Sequence, residues 1–97
     1  MQPIEVQFAT HRVADKIEVR GLTLDDCIEI LENTPYEIRS GTDSYGNPKY
    51  AAYGRTYDGM SALVIYVRER PDLYKILSAR KNLTRAEIRL IRRRRKL

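Results

Sequence analysis

The sequence predicts an α+β domain in which helices pack on one face of a small antiparallel meander sheet and a basic helix ends the chain. Three observations predict this class. Two capped segments with helical apolar spacing come first, four segments of strand character follow between residues 36 and 79, and a third capped segment begins a run of arginines. A length of 97 residues suits one domain, residues 1–97.

A short strand and a helix are predicted first. Residues 4–9 alternate apolar and polar side chains, and the preceding Pro3 favours an edge position. Thr10 can cap a helix over residues 11–20 that Gly21 ends. The β-branched residues of this segment also permit a strand.

The second helix is predicted from Thr23 and Asp26, which form a capping box, and from an apolar pattern that ends near Pro35. Its apolar positions are Leu24, Cys27, Ile28 and Leu31. Cys27 is the single cysteine, so no disulfide can form within the chain. A buried structural thiol in a reducing compartment is expected.

Four strands are predicted next, over residues 36–40, 49–56, 60–68 and 73–79. Asp58-Gly59 is read as a two-residue hairpin loop, so Tyr57 faces Met60 and paired residue numbers sum to 117. This register predicts a helix-packed face with the residues Tyr50, Ala52, Gly54, Leu63, Ile65 and Val67. On the other face it predicts the pairs Lys49 with Arg68, Ala51 with Tyr66, Tyr53 with Val64 and Arg55 with Ala62.

The turn after the third of these strands decides the position of Arg80. A three-residue loop places Arg80 on the polar face beside Ala62 and Arg55, with space for a phosphate between the two arginines. A two-residue loop would place Arg80 on the helix-packed face. We favour the first, because burying a charge is costly.

The positive charge is concentrated at the C-terminal end. Residues 80–97 contain nine bases and one acid, net +8, whereas residues 1–79 contain nine bases and twelve acids, net −3. Thr84 and Glu87 can cap a helix with a cationic stripe at helical spacing. Its members are Arg85, Arg89, Arg92 and Lys96. Such a helix suits nucleic acid, a membrane surface or an acidic partner protein.

A membrane surface is the least supported of these three partners. The longest apolar run has six residues, the basic helix lacks aromatic anchors, and no signal-peptide pattern is present. A soluble, cytoplasmic protein is expected.

The residue inventory also narrows the possible chemistry. His11 is the single histidine, and the sequence has neither metal-ligand spacing nor a glycine-rich phosphate loop, so no metal or other cofactor is predicted. Cleavage of RNA by attack of a 2′-hydroxyl on its own phosphodiester needs neither a metal nor another cofactor. Arginine or lysine would stabilise the charged transition state, while tyrosine, lysine or histidine would transfer protons.

Several motifs resemble the BrnT family of RelE-like toxins over about residues 16 to 94. They are Gly54-Arg55-Thr56, Asp58-Gly59, the strand 63–67, the segment 76–80, Thr84-Arg85-Ala86-Glu87, and Arg20-Gly21-Leu22-Thr23 with Asp26. The resemblance implies a RelE-like fold, the toxin of a type II toxin-antitoxin pair, and a ribonuclease that inhibits translation. It also implies RNA and an antitoxin from an adjacent gene as partners.

The resemblance implies that Arg80 and Arg55 contact the phosphate or the transition state, with Lys16, His11 and Arg20 near the first helix. Where many BrnT-like proteins have Lys-His before the glycine, this chain has Val19-Arg20.

The predicted catalytic set is Arg80, Arg55, Tyr66, Lys16 and His11. The predicted RNA contacts are Lys49, Arg68, Lys81, Arg20, Arg85, Arg89 and Arg92. The alternative is a non-catalytic nucleic-acid-binding or regulatory module. The last helix also suits contact with an acidic antitoxin.

Overall fold

The computed structural model describes residues 4–33 and 35–95, which form five strands and three helices. The elements are β1 (Glu5–Phe8), α1 (His11–Val19), α2 (Leu24–Glu32), β2 (Tyr36–Thr42), β3 (Pro48–Arg55), β4 (Ser61–Arg70), β5 (Leu73–Arg80) and α3 (Arg85–Arg95). One sheet has the strand order β1-β5-β4-β3-β2. The α+β prediction is confirmed.

The helices begin where the capping residues predict. The Thr10 hydroxyl accepts a hydrogen bond from the Val13 amide at 3.1 Å, so residues 11–19 are helical and the alternative strand is wrong. Gly21 ends this helix with a φ of +78°, a left-handed conformation that favours glycine. The capping box of Thr23 and Asp26 is present in both directions.

The helices α1 and α2 cover one side of the sheet, which we call the inner face. Ile17 of α1 and Ile30 of α2 are fully buried there with Ala52, Val64 and Ile76. This layer is the main hydrophobic core, and burying its apolar surface is the chief source of stability.

Cys27 lies within this core, as predicted. Its thiol is buried and unpaired. Burial, with the nearby Asp26 carboxylate, raises the pKa of Cys27 to about 12.

The β3–β4 hairpin differs from the prediction by one residue. Its loop has three residues, and the Thr56 amide donates to the Met60 carbonyl at 2.8 Å. Gly59 has a φ of +94°, as a type I turn followed by a bulge requires, whereas Asp58 is not left-handed. Paired numbers therefore sum to 116, with Arg55 opposite Ser61.

That slip exchanges the two faces of β4. Ala62, Val64 and Tyr66 lie on the inner face, while Leu63 and Ile65 lie on the opposite side, which we call the outer face. The predicted placement of Leu63, Ile65 and Val67 against the helices is wrong, because a one-residue shift turns every side chain to the other side.

The β4–β5 connection also differs. Arg70 pairs with Leu73, so the loop has two residues and the predicted three-residue loop is wrong. The pairing of β4 with β5 shifts by one residue at two points. Glu69 on β4 and Leu77 on β5 are therefore bulged residues with no residue directly opposite them in the register. The two shifts cancel, so Arg80 lies opposite Leu63, as the two-residue loop requires. Arg80 is on the outer face because the β3–β4 slip turned Leu63 outward.

Two features of the layer arrangement were not predicted. The strand β1 occupies an edge, as predicted, but it pairs parallel to β5 instead of continuing an antiparallel meander. The helix α3 contacts β2, and Leu83 before it packs on the outer-face cluster of Ala51 and Leu63. The helices therefore do not all lie on one face.

None of the helices within residues 4–33 and 35–95 is long and apolar enough to cross a membrane.

Candidate nucleic-acid interface

Arg80 ends β5 on the outer face. It lies opposite Leu63, which in turn lies opposite Tyr53, so these three side chains form a row across three strands. Arg55 lies two residues beyond Tyr53 on the same face and opposite Ser61. The shared face of Arg80 and Arg55 agrees with the prediction, but the residue opposite Arg80 is Leu63 and not Ala62.

Glu87 of α3 forms an ion pair with Arg80, whose side chain remains 47% exposed. The same carboxylate caps α3 by accepting a hydrogen bond from the Thr84 amide at 3.3 Å. The pKa of Glu87 is lowered, first by that backbone bond and then by the positive charge of Arg80. Glu87, the single acid of residues 80–97, therefore holds the Arg80 side chain in place.

Tyr66 does not join this site. It lies on the inner face, is 1% exposed, and donates a hydrogen bond from its hydroxyl to the carboxylate of Glu37. Burial and that bond raise the pKa of Tyr66. The predicted position of Tyr66 on the face of Arg80 is wrong, because the three-residue loop turns it inward.

Arg68 also lies on the inner face, with Tyr66, and the predicted pair of Lys49 and Arg68 is wrong. Lys49 is opposite Val67 on the outer face. Arg68 binds Glu37 at 3.0 Å, and its guanidinium lies 4.1 Å from the centroid of the Tyr50 ring. A stacked, paired arginine of this kind is part of the packing of the domain.

A second group of cations lies where α1 meets the end of β5. The Arg20 guanidinium donates to the Ala79 carbonyl at 3.0 Å and to the Ser78 hydroxyl at 3.4 Å. The Lys81 ammonium lies against Gly21, 3.0 Å from the position that a Cβ would occupy there. The structure therefore brings the predicted Arg20 and Lys81 together beside Arg80.

Lys16 lies one helical turn before Arg20 and lines the same junction, together with Arg12. Sequence reasoning missed Arg12. The sequence does contain a signal for it, because Arg12, Lys16 and Arg20 are four residues apart. This spacing places the three side chains on one face of a helix. His11 begins α1 as an exposed residue and does not line this junction.

The stripe of α3 is described in part. Arg85 and Arg89 are exposed on this helix. Arg92 belongs to α3, but its side chain lies outside the described part of the structure, and Lys96 lies outside the described residues.

A groove of about 690 Å³ lies at the opposite end of the outer face from Arg80, beside the loop that joins β2 and β3. Its lysine, Lys75, is paired with Glu69 at 3.0 Å. Asp43 lies on its rim, and hydrogen bonds from Asn47 and Tyr45 outweigh burial to lower the pKa of Asp43. This charge balance makes the groove a poorer polyanion site than the end of β5.

Among residues 4–33 and 35–95, no three histidine, cysteine, aspartate or glutamate side chains are grouped so that they could hold a metal ion. No protein-family model matches the chain, and no curated protein is significantly similar to it.

Proposed function

We propose that this protein is a metal-independent RNA endonuclease, the toxin of a type II toxin-antitoxin pair with a RelE-like, BrnT-related domain. The observation that carries the proposal is the position of Arg80, at the meeting point of the outer-face row and the cations of α1 and β5. The sequence motifs that surround Arg80 support the same assignment.

The proposed reaction is an internal transfer. The RNA 2′-oxygen forms a bond to phosphorus and loses its proton to solvent water, while the bond from phosphorus to the 5′-oxygen breaks and that oxygen gains a proton. The products are a 2′,3′-cyclic phosphate and a 5′-hydroxyl. Arg80 stabilises the extra charge on phosphorus, and Arg55 on the same face assists it.

Tyr53 replaces Tyr66 as the tyrosine for proton transfer in this proposal. It shares the row of Arg80, and backbones two strands apart are separated by about 10 Å, which long side chains on both strands can span. Its phenol would donate the proton to the leaving 5′-oxygen. For this, the substrate phosphate takes the place of Glu87 on the Arg80 guanidinium.

The test is cleavage of a single-stranded RNA by purified protein in EDTA, with analysis of the new ends. Arg80→Ala should lower the rate by about a hundredfold or more, as expected for loss of a group that stabilises a transition-state charge. Arg70→Ala, at the exposed turn of β4 and β5, removes the same charge elsewhere and should leave the rate unchanged.

Three outcomes would overturn this mechanism. They are full cleavage by Arg80→Ala, cleavage that needs a divalent ion, and new ends without a cyclic phosphate. Expression in cells without the antitoxin should arrest growth, and Arg80→Ala should relieve the arrest. Growth without arrest would contradict the role as a toxin.

A second candidate is a non-catalytic nucleic-acid-binding or regulatory module of the same fold. It is favoured by the position of Tyr66, which is buried on the opposite face of the sheet from Arg80. This module would bind RNA with a steep dependence on salt and release it uncut. In either case the exposed Arg85 and Arg89 of α3 offer a surface for an acidic antitoxin.

A further inference from the structure

The end of β5 has an open edge. The strand β1 pairs with residues Leu73 to Ile76, so within residues 4–33 and 35–95 no strand lies beside residues 77–80 on that side. The helix α1 lies against this part of β5 instead. The Arg20 guanidinium supplies the hydrogen bond that a strand would otherwise give to the Ala79 carbonyl.

A cleft of about 140 Å³ lies between this edge and α1. Three cations, one hydroxyl and three apolar side chains line it, namely Arg12, Lys16, Arg20, Ser78, Val13, Ile17 and Leu77. The bulge at Leu77 lies at the inner end of this open edge.

Within the described residues the cations of the cleft are not held in ion pairs, although Asp15 borders a neighbouring depression together with Lys16 and Arg20. In residues 4–33 and 35–95, no carboxylate forms an ion pair with Arg12, Lys16 or Arg20. Arg20 is fixed by its two bonds to β5, while Arg12 and Lys16 make no side-chain hydrogen bond within those residues. Lys81 adds a fourth positive charge beside Gly21. A fixed guanidinium with further cations around a small cavity suits a phosphate group.

We propose that this cleft binds one phosphate of the RNA strand, next to the phosphate that Arg80 contacts. Ser78 and Arg80 are two residues apart on β5, about 7 Å, a distance comparable to the step between neighbouring phosphates of a single strand. The inference rests on the proposed function for its substrate, but the cleft and its charges do not depend on catalysis.

The test uses Arg12→Gln and Lys16→Gln, each with Arg70→Gln as the matched control. Binding of a single-stranded RNA is measured by fluorescence anisotropy at several salt concentrations. Each cleft variant should weaken binding by about three- to tenfold and reduce the salt slope, and the double variant should reduce it by about 0.7, the value for one phosphate contact on a single strand. Arg70→Gln should change neither.

Two further arms separate the sources of the phosphate. Inorganic phosphate alone should shift the amide resonances of residues 12–20 and 77–79, and Lys16→Gln should suppress the shift. RNA with a 5′-hydroxyl should bind as tightly as RNA with a 5′-phosphate, because an internal phosphate fills the cleft. Binding that needs the 5′-phosphate, or that occurs with inorganic phosphate only, would overturn the assignment.

The two proposals fail in different ways. If both cleft variants bind RNA like Arg70→Gln, the cleft inference is wrong, even if the protein cleaves RNA. If RNA binds through the cleft and is never cut, the nuclease proposal is wrong and the cleft inference stands.

Discussion

The hydroxyl of Tyr66 on β4 donates to the carboxylate of Glu37 on β2, across the intervening strand β3. Arg68 binds the same carboxylate oxygen, and the Tyr66 ring stacks between Tyr50 and Tyr74 at centroid distances of 5.5 and 4.9 Å. This cluster satisfies a buried hydroxyl and links the four strands β2, β3, β4 and β5, so its role is structural.

Tyr66→Phe should therefore lower stability and leave RNA cleavage unchanged. Loss of a buried hydrogen bond to a charged group costs about 1 to 3 kcal/mol, and urea unfolding measures it. Tyr53→Phe is the matched control. It should slow cleavage with a small effect on stability. Loss of cleavage in a stable Tyr66→Phe protein would return Tyr66 to the catalytic residues.

Gly54→Ala should destabilise the protein by about 1 to 3 kcal/mol, the usual cost of overpacking a core. A Cβ at this position would lie 3.2 Å from the Pro35 Cβ and 3.3 Å from both the Ile30 Cγ2 and the Ile30 carbonyl oxygen. The backbone oxygen cannot rotate away, so α2 must shift from β3. A thermal midpoint equal to that of the wild type would contradict this close approach.

The start of α3 should lose structure at low pH. The pKa of Glu87 is lowered in the folded protein from its usual 4.5, so its contribution is complete above that value and is lost as the pH falls through the lowered one. Amide shifts of Ile88 and Arg89, followed from pH 6 to pH 2, measure the change. Glu87→Gln should remove this transition, and a transition that persists in the variant would assign it to another group.

Cys27 should react slowly with a thiol reagent at pH 8. Its pKa of about 12 leaves little thiolate, and the side chain is fully buried. The reaction with Ellman's reagent should become fast in urea above the unfolding midpoint. Rapid modification of the native protein would show that α2 opens from the core without global unfolding.

The sequence predicts the helices well because their signals are local. Thr10 and Thr23 each accept a hydrogen bond from the amide three residues on, and the short helices begin there. Burial of Cys27 follows from the same periodicity. The capping box of Thr84 and Glu87 likewise indicates where α3 begins.

The sheet register was harder to predict because Asp58-Gly59 suits two different turns. A two-residue loop needs left-handed residues at both central positions, while a three-residue loop needs one. Only Gly59 of the loop is left-handed, and the resulting slip moves Tyr66 and Arg68 away from the face of Arg80. The bulge at Leu77 has no comparable sequence signal, since the residues around it are ordinary strand formers.

The bulge at Leu77 changes which residues of β5 face the core. Before it, Ile76 belongs to the core, and after it, Ser78 and Arg80 face the outer side. Mutations of Ser78 or Arg80 can therefore change which anion is held without disturbing the core, to which Ala79 between them and Ile76 before them belong. By contrast, deletion of one residue at the bulge would turn the guanidinium of Arg80 toward the apolar layer, and would remove activity and folding together.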